Sequence, residues 1–331
     1  RSTPKPSSAA SDVYKRQDID GDGTPDVEID GSNAGNVSGL RINSSHNTIK
    51  GLVINRFYYS GISIWGDDAT YNLVIGCYLG TDKTGTIAQG NSTGLTSGPA
   101  GIYIGGGAQH NTIGGATFNE RNLLSGNTRG GDVAGVRIEG ANTAWNTVIG
   151  NYIGTDINGT DDLGNDYGVF VVNEAQNNTI QGNIISGNTI GIQIRGPDAN
   201  DNTVIGNYIG TDAGGIVALP NGTGVSVVNG AYNNVIGSSN PDERNIISGN
   251  TYNGVEIGAW GAPCIGNEVI GNYIGTDVTG TMDLGNLGFG VVINSGAQNN
   301  VVSGNIVSGN GDSDHWGSGI GLWGEGTEGN I

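Results

Sequence analysis

Positive charge, aromatic bulk and long apolar runs are all scarce in this chain of 331 residues. Thirteen Lys and Arg stand against 31 Asp and Glu, a net charge of −18. Such a surface repels nucleic acid and anionic membranes and suits cations, neutral glycans or plain solubility. Only 13% of residues are charged and only four are Phe, which describes neither a helical protein nor a mixed α/β enzyme. No stretch approaches the roughly twenty apolar residues of a membrane span, so no membrane insertion is expected. The two Cys, Cys77 and Cys264, lie far apart and match no metal-ligand spacing. Gly is abundant instead, at 63 residues. The apolar residues are mostly β-branched and evenly spaced, which excludes disorder.

Three stretches differ in pattern. Residues 1–17 share no pattern with the rest of the chain; residues 7–17 look like a translated sequencing adapter, an artefactual tail. Residues 18–38 are an acidic lead-in ending in a strand, and residues 39–331 carry the repeats. On this reading the natural chain is already under way at Asp18, and the repeats are truncated at Ile331. A longer protein with further domains is therefore expected.

A Gly-apolar-x-apolar signature begins at Gly39, Gly61, Gly101, Gly135, Gly168, Gly191, Gly224, Gly254, Gly290 and Gly319. Pairs such as Ile62/Ile64, Val136/Ile138 and Val255/Ile257 are spaced i, i+2, which puts both side chains on one strand face. A second β-branched file runs through Ile49, Val74, Ile113, Val148, Ile180, Val204, Ile236, Val269 and Val302. Short strands between Gly and Asn corners cannot bury a face alone, but stacked coils can. The pattern predicts an all-β, single-stranded right-handed parallel β-helix, nine complete coils and the start of a tenth.

Two Asn files are expected to tolerate the left-handed backbone of sharp corners and to bond from coil to coil. One contains Asn72, Asn111, Asn146, Asn178, Asn202, Asn234, Asn267 and Asn300; the other Asn122, Asn151, Asn183, Asn207, Asn245, Asn272 and Asn305. Leu52 and Phe57 stand where later coils have Asn. At a third place Gly-Thr-Asp and Ser-Gly-Asn alternate, so Asp82, Asp156, Asp212 and Asp277 are read as recurring every second coil with Asn127, Asn188, Asn250 and Asn310 between them. Each Asp is expected to cap the loop after it. Tyr78, Tyr152, Tyr208 and Tyr273 recur with the same period and are expected outside the core, beneath those loops.

Two kinds of repeated string carry a resemblance: Asn-Ile-Ile-Ser-Gly-Asn at 183–188 and 245–250, and Gly-Asn-Tyr-Ile-Gly-Thr-Asp at 150–156, 206–212 and 271–277. From about residue 27 to the end, the chain resembles the right-handed β-helix repeat proteins of the pectin-lyase-like superfamily. Within it, the chain is similar to large bacterial secreted or surface proteins with NVISGN and GNYIGTD repeats. The resemblance implies the fold and an extracellular or cell-surface location, but not one activity, since the superfamily holds lyases, hydrolases, epimerases, adhesins and scaffolds. The acids of a pectate lyase beside a basic residue, or the Asp cluster and Gly-His-Gly of a polygalacturonase, are not found. His46, His110 and His315 are the only His, and the pairs Asp67-Asp68 and Asp161-Asp162 have no Lys or Arg in their own coil column.

Two candidate sites remain. Trp65, Trp145, Trp260 and Trp323 all lie between the Gly-apolar-x-apolar strand and the corner Asn, and are expected along one edge at multiples of ~10 Å. Indole faces there would stack sugars of a polysaccharide or cell-surface glycan, with Asp67, Asp68 and Glu325 accepting hydroxyl bonds. The competing reading is that each indole is a lid over the coil edge. Asp18, Asp20 and Asp22 with Gly23 resemble the start of a Ca²⁺ loop of the EF-hand type, with Ile29 where the closing acid belongs and Asp26 or Glu28 as substitutes. The expected function is a non-catalytic scaffold that binds glycans. The alternative is a polysaccharide lyase or glycoside hydrolase, which would gather three or more acids and a cation in one outer groove.

Overall fold

The computed structural model describes residues 24–94, 98–128, 131–258, 261–311 and 317–331. Its strands are two to six residues long and assemble into three parallel sheets of ten, ten and nine strands. Each sheet takes every third strand in chain order, so the backbone winds as a coil: a right-handed parallel β-helix of nine full turns and part of a tenth. The first sheet runs from Val27–Asp30 to Ile306–Val307. The second runs from Leu40–Ile42 to Ile320–Leu322, and the third from Thr48–Lys50 to Val301–Ser303. Because Val27–Asp30 pairs in register with Leu52–Asn55, the helix begins ahead of the Gly39 boundary expected from the repeats.

The i, i+2 apolar files form one continuous core. Ile62, Ile64, Val136, Ile138, Val148, Val204, Val255 and Ile257 have no exposed surface. Strand register explains this directly: Val136 pairs with Ile102 and Val169, so like residues stack on like at every coil. Cys77 and Cys264 are free thiols inside this core, and burial pushes the Cys77 thiol up to about 12.

Asn binds the coils at three corners rather than two. In the first ladder, each Oδ1 accepts both the main-chain and the side-chain N–H of the Asn one coil earlier. The bonds run unbroken from Asn47 to Asn330 at 2.8–3.1 Å. The second ladder is headed by Cys77, whose N–H donates to Asn122. The ladder Asn were expected to take the left-handed backbone themselves, but the residue before most of them does so, Arg121 and Arg244 before Asn122 and Asn245 being extended instead. Tyr71, His110, Trp145 and Asn177 all have φ of 55–57°, and Gly150, Gly182 and Gly206 play this part before the second ladder. The corner turns one residue early so that the Asn amide can point along the rod.

The third ladder corrects the expected alternation of Asp with Asn. Asn127 lies between Asn91 and Asn165, and Asn188 between Asn165 and Asn221. Asp82, Asp156, Asp212 and Asp277 are outside the ladder because each opens a small hairpin, closed by bridges such as Thr81–Ala88 and Thr155–Asp162. Asp156 Oδ1 accepts the N–H groups of Thr160 and Asp161 at 2.9 and 3.1 Å, and the other three Asp repeat this cap. Successive hairpins also bond to one another, Ile157 N–H to Gly85 O and Ala213 N–H to Gly159 O, across two coil heights. Tyr78 and Tyr152 lie beneath them in a second apolar cluster with Val53 and Leu123, outside the core as the sequence predicts.

Candidate functional site

The four Trp do not make one edge. Trp65 ends the strand Ile62–Trp65 and lies in register with Gly105, and through it with Glu139, Val172 and Arg195. Trp323 comes after Leu322 on the same file, eight strands further along the second sheet. Trp145 sits instead at the left-handed corner before Asn146, and Trp260 lies outside the described residues. The shared segment in sequence hid two different positions, because Trp65 stands at its start beside Ile64 and Trp145 at its end beside Asn146.

Trp65 nevertheless forms a built platform. Its Cζ3, Cε2, Cδ2 and Cζ2 ring atoms lie so close to Gly105 and Gly106 that a Cβ on either would approach within 3.0 or 2.7 Å. Several fused-ring atoms at near-equal distance mean that the indole lies flat on the glycine backbone. It also stacks on Tyr103 at 5.7 Å and 16°, and 39% of the residue stays exposed. Asp67 and Asp68 occupy the exposed turn just after it. Glu325 is exposed near Trp323, which meets Phe289 edge-on at 5.1 Å.

Beside this platform, the outward face of the second sheet carries a cluster that the spacing did not reveal. Tyr103, Arg137, Phe170 and Gln193 are register partners on four successive strands. These side chains point away from the core, yet Arg137 is 4% exposed and Phe170 and Gln193 are fully buried. Long neighbours fold over the face: the Arg137 and Arg195 guanidinium carbons lie 4.8 and 4.5 Å from the Phe170 ring centroid. Arg137 pairs with Glu139 at 2.7 Å and Arg195 with Asp132 at 3.2 Å. Tyr103 donates to Glu139 and Tyr167 to Asp132, both at 3.2 Å, while Thr128 and the Gly131 N–H donate to Asp166 at 2.6 and 2.9 Å. The sequence signal was the residue between the two core positions of each repeat, and only stacking shows that four of them touch.

The electrostatics of the cluster are closed. Burial pushes the Glu139 carboxyl up, but the bond and charge of Arg137, with Asn173 and Tyr103, outweigh it and hold it below the usual range. Burial and then the neighbouring carboxylates push the Tyr103 and Tyr167 phenols up, so both stay protonated donors. Three acids thus converge with two Arg, as an enzyme would require, but each Arg is already matched. Glu256 is the acid that burial pushes upward, with Asn294 partly offsetting it. It lies three strands from Phe170, about 14 Å at ordinary strand spacing, and has Ser226 and Val292 as register neighbours.

Of the calcium candidates, Asp18, Asp20 and Asp22 lie outside the described residues. Glu28 is on the first strand, where it accepts from Asn55 at 2.8 Å and faces Arg56 at 3.6 Å. Among the described residues no three His, Cys, Asp or Glu come together to hold a metal ion, and no helix is long and apolar enough to cross a membrane.

No protein-family model and no curated protein matches the chain. Among solved structures it is similar to a point mutant of the periplasmic alginate epimerase AlgG, at 14% identity and a TM-score of 0.43. The match covers 86% of this chain and 60% of that one. Likeness at this level concerns the course of the backbone alone, and the coil-by-coil register above is what makes this chain a right-handed parallel β-helix.

Proposed function

We propose that the chain is a non-catalytic, glycan-binding β-helix of an extracellular or cell-surface protein, and that the second sheet's outer face binds the sugar. The observation that carries this reading is the Trp65 indole laid flat on Gly105–Gly106, stacked with Tyr103 and still 39% exposed. A pyranose ring would stack on such a face, and the exposed Asp67 and Asp68 carboxylates in the turn after it would accept its hydroxyl protons. The matched ion pairs favour an uncharged glycan over a uronate polymer, since neither Arg is left to meet a carboxylate. The acidic lead-in would take calcium through Asp18, Asp20, Asp22 and Asp26, with Glu28 already engaged by Asn55.

Affinity electrophoresis in gels of neutral polysaccharides tests this. The native chain should be retarded, and Trp65→Ala should lose at least tenfold in affinity at little changed melting temperature. Equal retardation of both proteins ends the proposal. A second reading rests on the convergence of Asp132, Glu139 and Asp166 with two Arg: a polysaccharide lyase or hydrolase. General acid catalysis needs a carboxyl held protonated beside a second acid, and Glu256 stands apart from the cluster. Depolymerising activity that Asp132→Asn abolishes would establish the enzyme instead.

A further inference from the structure

The outer face of the third sheet is unlike the rest of the surface. Its half-buried outward positions from the second to the seventh strand are Leu73, Thr112, Thr147, Ile149, Thr179, Gln181, Thr203, Ile205 and Val235. None is charged, on a chain whose net charge is −18. Along one margin runs a stack of exposed rings, His46, Tyr71, His110 and Trp145, at 4.9–5.4 Å. Tyr71 and Trp145 are 55% and 49% exposed. Among the described residues, no strand or helical turn packs across the face. The two short helical turns, Phe118–Glu120 and Pro241–Glu243, send Arg121 and Arg244 onto Tyr152 and Tyr273 of the first sheet instead.

We infer that this face pairs with the same face of a second copy, the two rods antiparallel about a two-fold axis between the strands Thr147–Ile149 and Thr179–Gln181. Charge selects the occupant: two strongly acidic rods can approach closely only where both are uncharged. Charge also selects the direction. Lys50, on the first strand of the sheet, and Glu268, on the eighth, are the charged outward residues of its strands. An antiparallel pair about that axis brings Lys50 of each copy beside Glu268 of the other. It also sets His110 opposite the partner's Asp201, at the matching corner. A parallel pair would instead place Glu268 against itself. The exposed rings of one half then cover the aliphatic half around Val235 and Ile265 of the other, as an isologous interface requires. Eight strands give a face about 40 Å long, and a width of about 15 Å brings it near the ~800 Å² per partner of a stable interface once side-chain relief is counted.

Sedimentation equilibrium of the full chain provides the test, and it does not depend on the glycan reading. The native protein should be dimeric at micromolar concentration, and Thr147→Arg/Thr179→Arg monomeric with an unchanged circular dichroism spectrum. Lys50→Glu should weaken the dimer about threefold, as should Glu268→Lys, and the double swap should restore it. A native chain that stays monomeric at the highest soluble concentration overturns the inference. So does a double swap that restores nothing. Monomers that adsorb to a suspended neutral polysaccharide through this face, and not after Thr147→Arg/Thr179→Arg, would show that a polymer surface is the occupant instead.

Discussion

At the scale of single residues, the ladders put unusual weight on one amide. Asn207 donates to Ile180 O, Ile205 O and Asn245 Oδ1, and accepts both N–H groups of Asn183. Asn207→Ala would leave several buried partners unmet, each at about 1–3 kcal/mol, so urea titration should show a loss of at least ~3 kcal/mol. The hairpin caps make a pH prediction. Burial raises the Asp156 carboxyl, but the N–H groups of Thr160 and Asp161 and the Asn158 amide overcome it and leave it below its ordinary 3.8. A depressed carboxyl contributes stability that is complete above 3.8 and is lost as pH falls through the lower folded value. Hydrogen exchange at Thr160 and Asp161 should therefore accelerate only below about pH 4, in step with loss of that cap. Gly105 is a third such position. Its backbone accepts Ala, yet an added Cβ meets Tyr103 and Trp65 at 2.9–3.0 Å. Gly105→Ala should thus weaken glycan retardation severalfold while shifting the melting temperature little.

At the scale of elements, the two-coil period has a physical cause. A hairpin is thicker than one coil, so two cannot stand on adjacent turns. The short coils give way with Gly126, Gly187, Gly249 and Gly309, where a Cβ would strike the hairpin above: Ala88, Asp162, Ala218 and Asp283 in turn. Gly187→Val should displace the Asp156 hairpin, visible as lost protection at Thr160, while the core beneath stays protected. The sequence showed the period and the Asp caps plainly. It did not show that the hairpin leaves the coil, because Gly-Thr-Asp and Ser-Gly-Asn look equivalent until the third ladder is traced through Asn165 and Asn221.

At the scale of the whole molecule, the rod segregates its chemistry by face: hairpins on the first sheet, aromatic and ionic groups on the second, an uncharged plane on the third. Its net charge bears on ligand choice. Neutral glycans should bind with little dependence on salt, whereas uronate polymers should bind more weakly and improve as salt screens the repulsion. Retardation series in the two gel types at rising ionic strength will separate these cases. A calorimetric calcium titration belongs at this scale too; release of heat is expected from the acidic lead-in, and silence at millimolar metal would remove Asp18, Asp20 and Asp22 as ligands.

The repeats by themselves determined the coil, its core files and two of three Asn ladders, because strand alternation and Gly-Asn corners are local properties that each turn states afresh. Tertiary structure alone decided which outward side chains touch. Tyr103, Arg137, Phe170 and Gln193 lie tens of residues apart in the chain and become neighbours only when strands stack. Trp65 and Trp145 share one segment in sequence and part company because Trp65 directly follows the core residue Ile64, whereas Trp145 directly precedes the ladder residue Asn146.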